Sequence, residues 1–232
     1  MVNHISEKTL ELNVSENILG IIRRNIDARA FLHGFTLMQE HTTSLDVSVK
    51  LPNNLSILGL QFKRPESQSN GIYRFEINRN IGYDQHLKLY LWSLLFFNTF
   101  HVTPLFYAFP TFFNVMDFAS SSPNFLSRTY FVNPLGMPIQ ILDNNVHMVE
   151  IDTKSDTVNV WSESPIEIEK FYKGEKFITE IIGKKQFIQV GVLKEKLKEM
   201  KFAATTKELK NKHIEKLLES KWNIRLKGFV LF

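Results

Sequence analysis

The sequence predicts an α/β protein with a mixed central sheet, and the order of three patterns carries that prediction. A helical pattern comes first, over residues 6–25. Strand patterns follow at close spacing up to residue 65, and a second helical pattern then leads into an apolar strand at 103–109. A chain of 232 residues is long enough for one such core with an appendage. We therefore predict a core over 1–150, with the order helix, three strands, helix, strand.

The first helix is predicted from apolar residues that recur every three or four positions. Ser6 is suited to the N-cap, and Glu7 lies in the first turn, where the helix dipole favours a negative charge. The apolar positions are Leu10, Val14, Ile18 (or Leu19) and Ile22.

Three strands are predicted next, the last two as an antiparallel hairpin. Residues 35–39, FTLMQ, form a short strand pattern. Residues 44–51 alternate apolar and polar side chains, which is typical of a half-buried strand. The turn sequence PNN at 52–54 joins them to the strand at 55–65.

The rest of the predicted core contains a helix that begins at Asp84 and reaches about Phe97. IYRFEI at 72–77 is predicted as a short strand with no assigned place in the sheet. Residues 89–116 contain no charged residue and are long enough to span a bilayer, but Asn98, His101, Pro104 and Pro110 divide them. A helix followed by a buried strand explains this segment better than a membrane span.

Three further strand patterns lie on either side of the boundary between the core and the second predicted domain, 151–232. They are TYFVNP, HMVEIDT and TVNVWSE, and the last two suit a hairpin. Beyond them the chain is rich in Lys and Glu with helical periodicity, so the domain is predicted to be a basic, mostly helical appendage.

The composition excludes several kinds of site. The chain has no Cys, which excludes disulfides, thiolate metal sites and cysteine nucleophiles and favours a cytoplasmic protein. Its seven His show no zinc-binding spacing, and no glycine-rich phosphate loop is present. The N-terminus is polar and has no apolar stretch of the kind found in signal peptides.

One polar group of residues on the predicted hairpin suits phosphodiester chemistry. Gln61 and Lys63 share a face of their strand, and the turn brings Asp46 beside Gln61. Gly59, on the same face, leaves room for an approaching group. Carboxylate and carboxamide oxygens bind Mg²⁺ or Mn²⁺, and an ammonium stabilises charge on a phosphate. Exposed strand residues at the end of a sheet are the alternative interpretation of Asp46 and Lys63.

This pattern resembles the PD-(D/E)XK nuclease superfamily, whose fold is the restriction-endonuclease-like core. Asp46 matches the motif's Asp, Gln61 its Glu-or-Gln position and Lys63 its Lys. Glu16 best matches the Glu of the first helix, and Glu11 is the alternative. The resemblance implies a metal-dependent nuclease with Asp46, Gln61 and Glu16 or Glu11 as metal ligands and Lys63 as the catalytic cation. Gln in place of the commoner Glu also leaves open an inactive nuclease-fold protein that binds nucleic acid or another protein.

The basic residues indicate where nucleic acid would bind, and DNA is expected as the partner ahead of RNA. Residues 184–232 contain thirteen Lys and Arg but only five Glu, which gives this segment a net charge of +8. Such a charge suits binding to a phosphate backbone. A solvated helical face is the alternative interpretation of this charge. The predicted backbone contacts are Arg64, Arg74, Arg79, Lys184 and Lys185. The resemblance leaves a homodimer open, because enzymes of this kind that cut both strands are often dimers.

Overall fold

The computed structural model describes residues 4–36, 40, 44–52, 56–78, 85–142, 145–183 and 188–189. The helices in this part of the chain are α1 (Glu7–Asn25), α2 (Gln85–Phe100), α3 (Val115–Ser120) and α4 (Glu175–Gly183). The first six strands are β1 (Phe31–Gly34), β2 (Val47–Leu51), β3 (Ser56–Phe62), β4 (Ser67–Ser69), β5 (Ile72–Ile77) and β6 (Leu105–Pro110). The others are β7 (Thr129–Val132), β8 (His147–Asp152), β9 (Thr157–Trp161), β10 (Pro165–Glu167), β11 (Tyr172–Lys173) and β12 (Ile188–Gln189).

Helix α1 forms where the periodicity predicts it. The Ser6 hydroxyl accepts a hydrogen bond from the backbone N–H of Thr9 at 3.0 Å, which caps the first turn. The predicted stripe of apolar residues is buried along the length of the helix. Burial of this stripe against a sheet, rather than the intrinsic preference of its residues, supplies most of the stability of such a helix.

The main sheet is mixed, as predicted. Six strands lie side by side in the order β1-β2-β3-β6-β7-β11, and β12 pairs with the first part of β3. Strands β3 and β6 are parallel, whereas the other pairs are antiparallel. A parallel pair needs a crossover connection, and α2 lies in the connection between β3 and β6. The order helix, three strands, helix, strand is thus present, with two strands inserted before α2.

Those two inserted strands belong to a second, antiparallel sheet with the order β10-β9-β8-β5-β4. Strand β5 confirms the short strand predicted at 72–77 and pairs with β8 along its whole length. Strands β8 and β9 form the predicted hairpin. The insertion starts directly after β3 and therefore begins next to the residues that end that strand.

Two apolar cores cover the two faces of the main sheet. On one face, α1 and α4 pack on β2, β3 and β6 through residues such as Val14, Phe177 and Leu60. On the other face, α2 and the second sheet meet β6 and β7, with Trp92, Phe75 and Tyr107 among the buried residues. Both faces of the central strands are therefore covered.

Three local predictions need correction. The first strand is Phe31–Gly34 rather than 35–39, of which 37–39 lie outside the described residues. Strand β2 is buried along its whole length and not half-buried, because it lies between two paired strands and both of its faces are covered. The room expected beside Gly59 is filled, since an added Cβ would lie 2.7 Å from the side chain of Leu45 and 2.8 Å from that of Leu105.

The predicted division between 150 and 151 falls inside β8. Up to residue 183, the supposed appendage consists mainly of strands, which complete both sheets, followed by α4. The strand predicted at 157–163 is β9, whereas the helical pattern predicted from about residue 165 gives way to β10 and β11, which pair with β9 and β7. From residue 184 onward, apart from β12, the predicted basic helices lie outside the described residues.

In the described ranges, no helix is long and apolar enough to cross a membrane. The charge-free segment at 89–116 is divided between α2, with 16 residues, and β6. A helix that spans a bilayer needs about 20 apolar residues.

Candidate active site

Asp46 and Gln61 lie side by side, immediately before β2 and near the end of β3. Val47 pairs with Leu60 in the sheet, and the Asp46 backbone N–H donates to the Leu60 carbonyl at 3.0 Å. This register places Gln61 opposite Asp46 on the same face. The Gln61 side-chain amide donates to the two Asp46 carboxylate oxygens at 3.0 and 2.8 Å, and the Phe62 N–H donates to one of them at 2.6 Å.

The Asp46 carboxylate is electrostatically unfavourable in its ionised form. Desolvation by burial is the largest cause and raises its pKa to about 7. The hydrogen bond from the Phe62 N–H and the charge of Lys63 act in the opposite direction, while the negative charges of Glu7 and Glu11 raise the pKa further. Nearby carboxylates that repel each other in a desolvated position form a site that a cation would stabilise.

Lys63 follows directly after β3 and is held by α2. Its ammonium donates to the Gln85 side-chain oxygen at 2.6 Å, and Lys63 is only 9% exposed. Gln85 is the first residue of α2, and the next backbone N–H, that of His86, donates to the Asn78 side chain at 2.9 Å. The start of the helix is thus fixed by β5 as well as by its own packing, so the position of Gln85, and with it the ammonium, is well defined.

The acidic side of the site comes from the first turns of α1. Glu7 accepts a hydrogen bond from the Arg64 N–H at 3.2 Å, which joins α1 to the chain just beyond β3. Glu11 is buried and accepts from the Lys8 ammonium at 2.6 Å. That hydrogen bond is the largest cause of a raised pKa for Lys8, which also feels the charges of Glu40 and Asp46.

Glu40 extends this acidic group from the segment between β1 and β2. Burial raises its pKa, and the charges of Glu11 and Glu7 raise it further, while Lys8 lowers it. Glu40 was not predicted from the sequence, because no spacing relates a residue in this segment to helix α1.

Glu16, the preferred match for the helix-one Glu, is not part of this group. It lies five residues after Glu11, which turns it about 140° around the helix axis. Glu16 is exposed whereas Glu11 is buried, and the helix-one charges that act on Asp46 are those of Glu7 and Glu11. The face that carries Leu10, Val14 and Ile18 determines which acids approach the sheet, and this rotation could have been worked out from the sequence.

Two of the arginines predicted to bind nucleic acid, Arg64 and Arg74, are paired with carboxylates. Arg64 lies 3.5 Å from Glu66, and Arg74 lies 2.8 Å from Glu150 across the second sheet. The other three predicted contacts lie outside the described residues; they are Arg79, Lys184 and Lys185.

Asp46, Gln61 and Glu11 are side chains of this group with oxygen atoms that could hold a divalent metal. No group of three or more His, Cys, Asp or Glu arranged to hold a metal is found in the part of the chain that the structure describes. However, Gln61 supplies a carboxamide oxygen, and this Oε1 atom is buried without a hydrogen-bond partner. Rotation of the Gln61 amide by 180° would exchange the positions of its nitrogen and its oxygen. The oxygen would then face the Asp46 carboxylate, and because both are acceptors, a cation would be needed between them. The oxygens of Gln61, Asp46 and Glu11 are of the kind that Mg²⁺ and Mn²⁺ prefer as ligands.

No family model, curated protein or solved structure matches this chain.

Proposed function

We propose that this protein is a metal-dependent nuclease of the PD-(D/E)XK type with a restriction-endonuclease-like core, and that it hydrolyses phosphodiester bonds in DNA. The observation that carries the proposal is the convergence of Asp46, Gln61 and Lys63 at the end of β3, beside the acids of α1. The order of the elements around them supports it, because a helix precedes the hairpin and a crossover helix leads to a parallel strand.

Each side chain has a role in this proposal. Asp46 and Gln61 hold the metal, with Glu11 as the further carboxylate. Lys63 donates a hydrogen bond to the phosphate or to the attacking water, and Gln85 keeps its ammonium in place. A bound Mg²⁺ or Mn²⁺ would polarise the phosphate and activate water. The basic C-terminal region adds affinity for the phosphate backbone that does not depend on base sequence.

The raised pKa of Asp46 supports a metal site in particular. When a carboxyl group has a pKa near 7, protons and metal ions compete for its carboxylate at neutral pH. The affinity of the site for metal should therefore rise with pH through neutrality. At a fixed, subsaturating Mg²⁺ concentration we expect cleavage to increase from pH 6 to pH 8. The midpoint should move to lower pH when more Mg²⁺ is added.

A second candidate function has an observation of its own. The Gln61 amide nitrogen, rather than its oxygen, faces both Asp46 oxygens. This arrangement is stable without a metal, and it favours a nuclease-fold protein that binds nucleic acid or another protein without cutting. The two candidates differ in their need for metal, because the binding module does not need one.

The test is a cleavage assay with labelled single-stranded DNA, double-stranded DNA and RNA, each with Mg²⁺, Mn²⁺ or EDTA. The parent is compared with Asp46→Ala and with Lys154→Ala, a matched control in the exposed turn between β8 and β9. Metal-dependent cleavage of DNA that Asp46→Ala loses and Lys154→Ala keeps is the expected result. Binding without cleavage in every metal would support the second candidate, and neither binding nor cleavage would overturn both.

A further inference from the structure

A row of polar side chains continues along the sheet from Asp46, away from the candidate active site. Strand β1 pairs with β2 so that His33 lies opposite Ser48 and Phe31 opposite Lys50. Directly opposed residues share a face, and so do residues two apart along a strand. His33, Ser48 and Lys50 therefore lie together on the face that also carries Asp46.

Two of these three side chains have polar atoms without a hydrogen-bond partner. Ser48 is fully buried, and its hydroxyl makes no hydrogen bond. The Nε2 atom of His33 is likewise buried and unpartnered. The His33 ring is held edge-on to Phe35, with ring centroids 5.2 Å apart, so its orientation is fixed by packing. Buried polar groups of folded proteins nearly always have partners, which makes two neighbouring exceptions informative.

Lys50 adds a positive charge that no carboxylate in the described ranges balances through an ion pair. The residue is 7% exposed, and desolvation alone lowers the pKa of its ammonium. The charge of Lys50 lowers the pKa of His33 in addition to the effect of burial, so the two groups interact. No Asp or Glu of the described ranges forms an ion pair with Lys50.

We propose that His33, Ser48 and Lys50 form a binding site for a phosphate group, distinct from the candidate active site. The ammonium supplies the charge, and the serine hydroxyl and the imidazole N–H supply two further donors, a set that suits an oxyanion and repels a cation. Lys50 lies four positions after Asp46, about 13 Å along the strand, and Ser48 lies two positions after it, about 7 Å. The ammonium, which carries the positive charge of the site, is thus its part farthest from Asp46.

The phosphate could belong to a free nucleotide or to the backbone of a nucleic acid, and the chemistry of recognition is the same for both. The edge of the sheet at β1 is partly exposed, since His33 is half-buried and Phe31, which lies opposite Lys50, is 40% exposed. This inference does not depend on cleavage, because it concerns other residues and can be tested without metal.

The experiment follows the ring nitrogens of His33 by NMR while inorganic phosphate is added to the full chain in EDTA. Sodium chloride of equal ionic strength is the control for screening. We expect a saturable shift of the His33 Nε2 resonance with phosphate, and no such shift with chloride. Lys50→Met should abolish the shift, and Ser48→Ala should weaken phosphate binding about tenfold. Lys154→Met, a matched exposed lysine, should leave it unchanged.

The source of the phosphate is then distinguished by two further titrations, with a deoxynucleoside monophosphate and with a short single-stranded oligonucleotide. Displacement of inorganic phosphate by the mononucleotide alone identifies a free nucleotide, and displacement by the oligonucleotide identifies the backbone. The absence of a phosphate-specific shift, or a shift that survives in a folded Lys50→Met variant, would overturn the proposal. Circular dichroism establishes that each variant is folded.

Discussion

Replacement of Asp46 by Asn should stabilise the protein at neutral and alkaline pH. The carboxylate lies in a desolvated position near Glu7 and Glu11, and its pKa is raised to about 7. Because the folded state holds the proton more tightly than the unfolded state, folding is favoured while the group is protonated. This contribution is fully present below the unfolded pKa and is lost as the pH rises through the folded pKa.

The size of the effect follows from the two pKa values. With 3.8 for the unfolded chain and about 7 for the folded protein, proton linkage lowers stability by about 2–3 kcal/mol between pH 5 and pH 8. An amide at position 46 does not ionise and therefore lacks this loss. It also retains one oxygen, which can accept from the Phe62 N–H and from the Gln61 amide, and it loses only the second Gln61 hydrogen bond.

The assay is urea unfolding of the parent and of Asp46→Asn at pH 5 and pH 8, in EDTA. The free energy of unfolding of the variant, relative to that of the parent, should increase by about 2–3 kcal/mol from pH 5 to pH 8. Mg²⁺ added at pH 8 should stabilise the parent and not the variant, because a metal that binds Asp46 favours the folded state.

The reasoning would be refuted if the free energy of unfolding of Asp46→Asn, relative to that of the parent, stays constant or decreases between pH 5 and pH 8. It would mean that Asp46 is solvated, with an ordinary pKa, and that the acids of α1 do not act on it. Asp152→Asn is the matched control, since Asp152 lies in the second sheet and its pKa is lowered by hydrogen bonds from Lys154 and Ser155.

Three further predictions concern the neighbours of the site. Glu11→Gln should reduce metal-dependent cleavage about 10–100-fold, whereas Glu16→Gln on the other side of α1 should stay within about twofold of the parent; equal losses would contradict the assignment. Gln85→Ala should lower single-turnover cleavage about 10–100-fold because the Lys63 ammonium loses its acceptor. Gln85→Glu should restore most of that rate and change its pH profile, and failure of both variants alike would point to a purely structural role. Gly59→Ala should lower the free energy of unfolding by about 1–3 kcal/mol, and an unchanged urea midpoint would show that the contacts expected of the added Cβ are relieved cheaply.

The local features of the fold could be predicted from the sequence because they depend on short-range patterns. Helix α1 follows from a helical stripe with a capping serine, and the pairing of β2 with β3 follows from alternation and a short turn. That register also brings Asp46 beside Gln61. The second sheet could not be predicted, since β5 pairs with β8 some 70 residues later. The sequence of neither strand determines which other strand it pairs with.

The charged residues of the site were predicted less completely for a different reason. Spacing from the motif favoured Glu16, but the buried face of α1 selects Glu7 and Glu11. Gln85 reaches Lys63 only because the inserted hairpin and Asn78 fix the start of α2. Such contacts depend on the position of the first turn of the helix relative to the sheet, and the spacing of apolar residues in the sequence does not determine that position.

The central claim is that Asp46 and Lys63 act at one metal-dependent site with different tasks. The most direct test measures Mn²⁺ binding by electron paramagnetic resonance and single-turnover DNA cleavage on the parent, Asp46→Ala and Lys63→Ala. We predict that Asp46→Ala loses both Mn²⁺ binding and cleavage, whereas Lys63→Ala keeps Mn²⁺ binding and loses cleavage by about 10²–10⁴-fold. Cleavage that persists in Lys63→Ala, or Mn²⁺ binding that persists in Asp46→Ala, would contradict the claim.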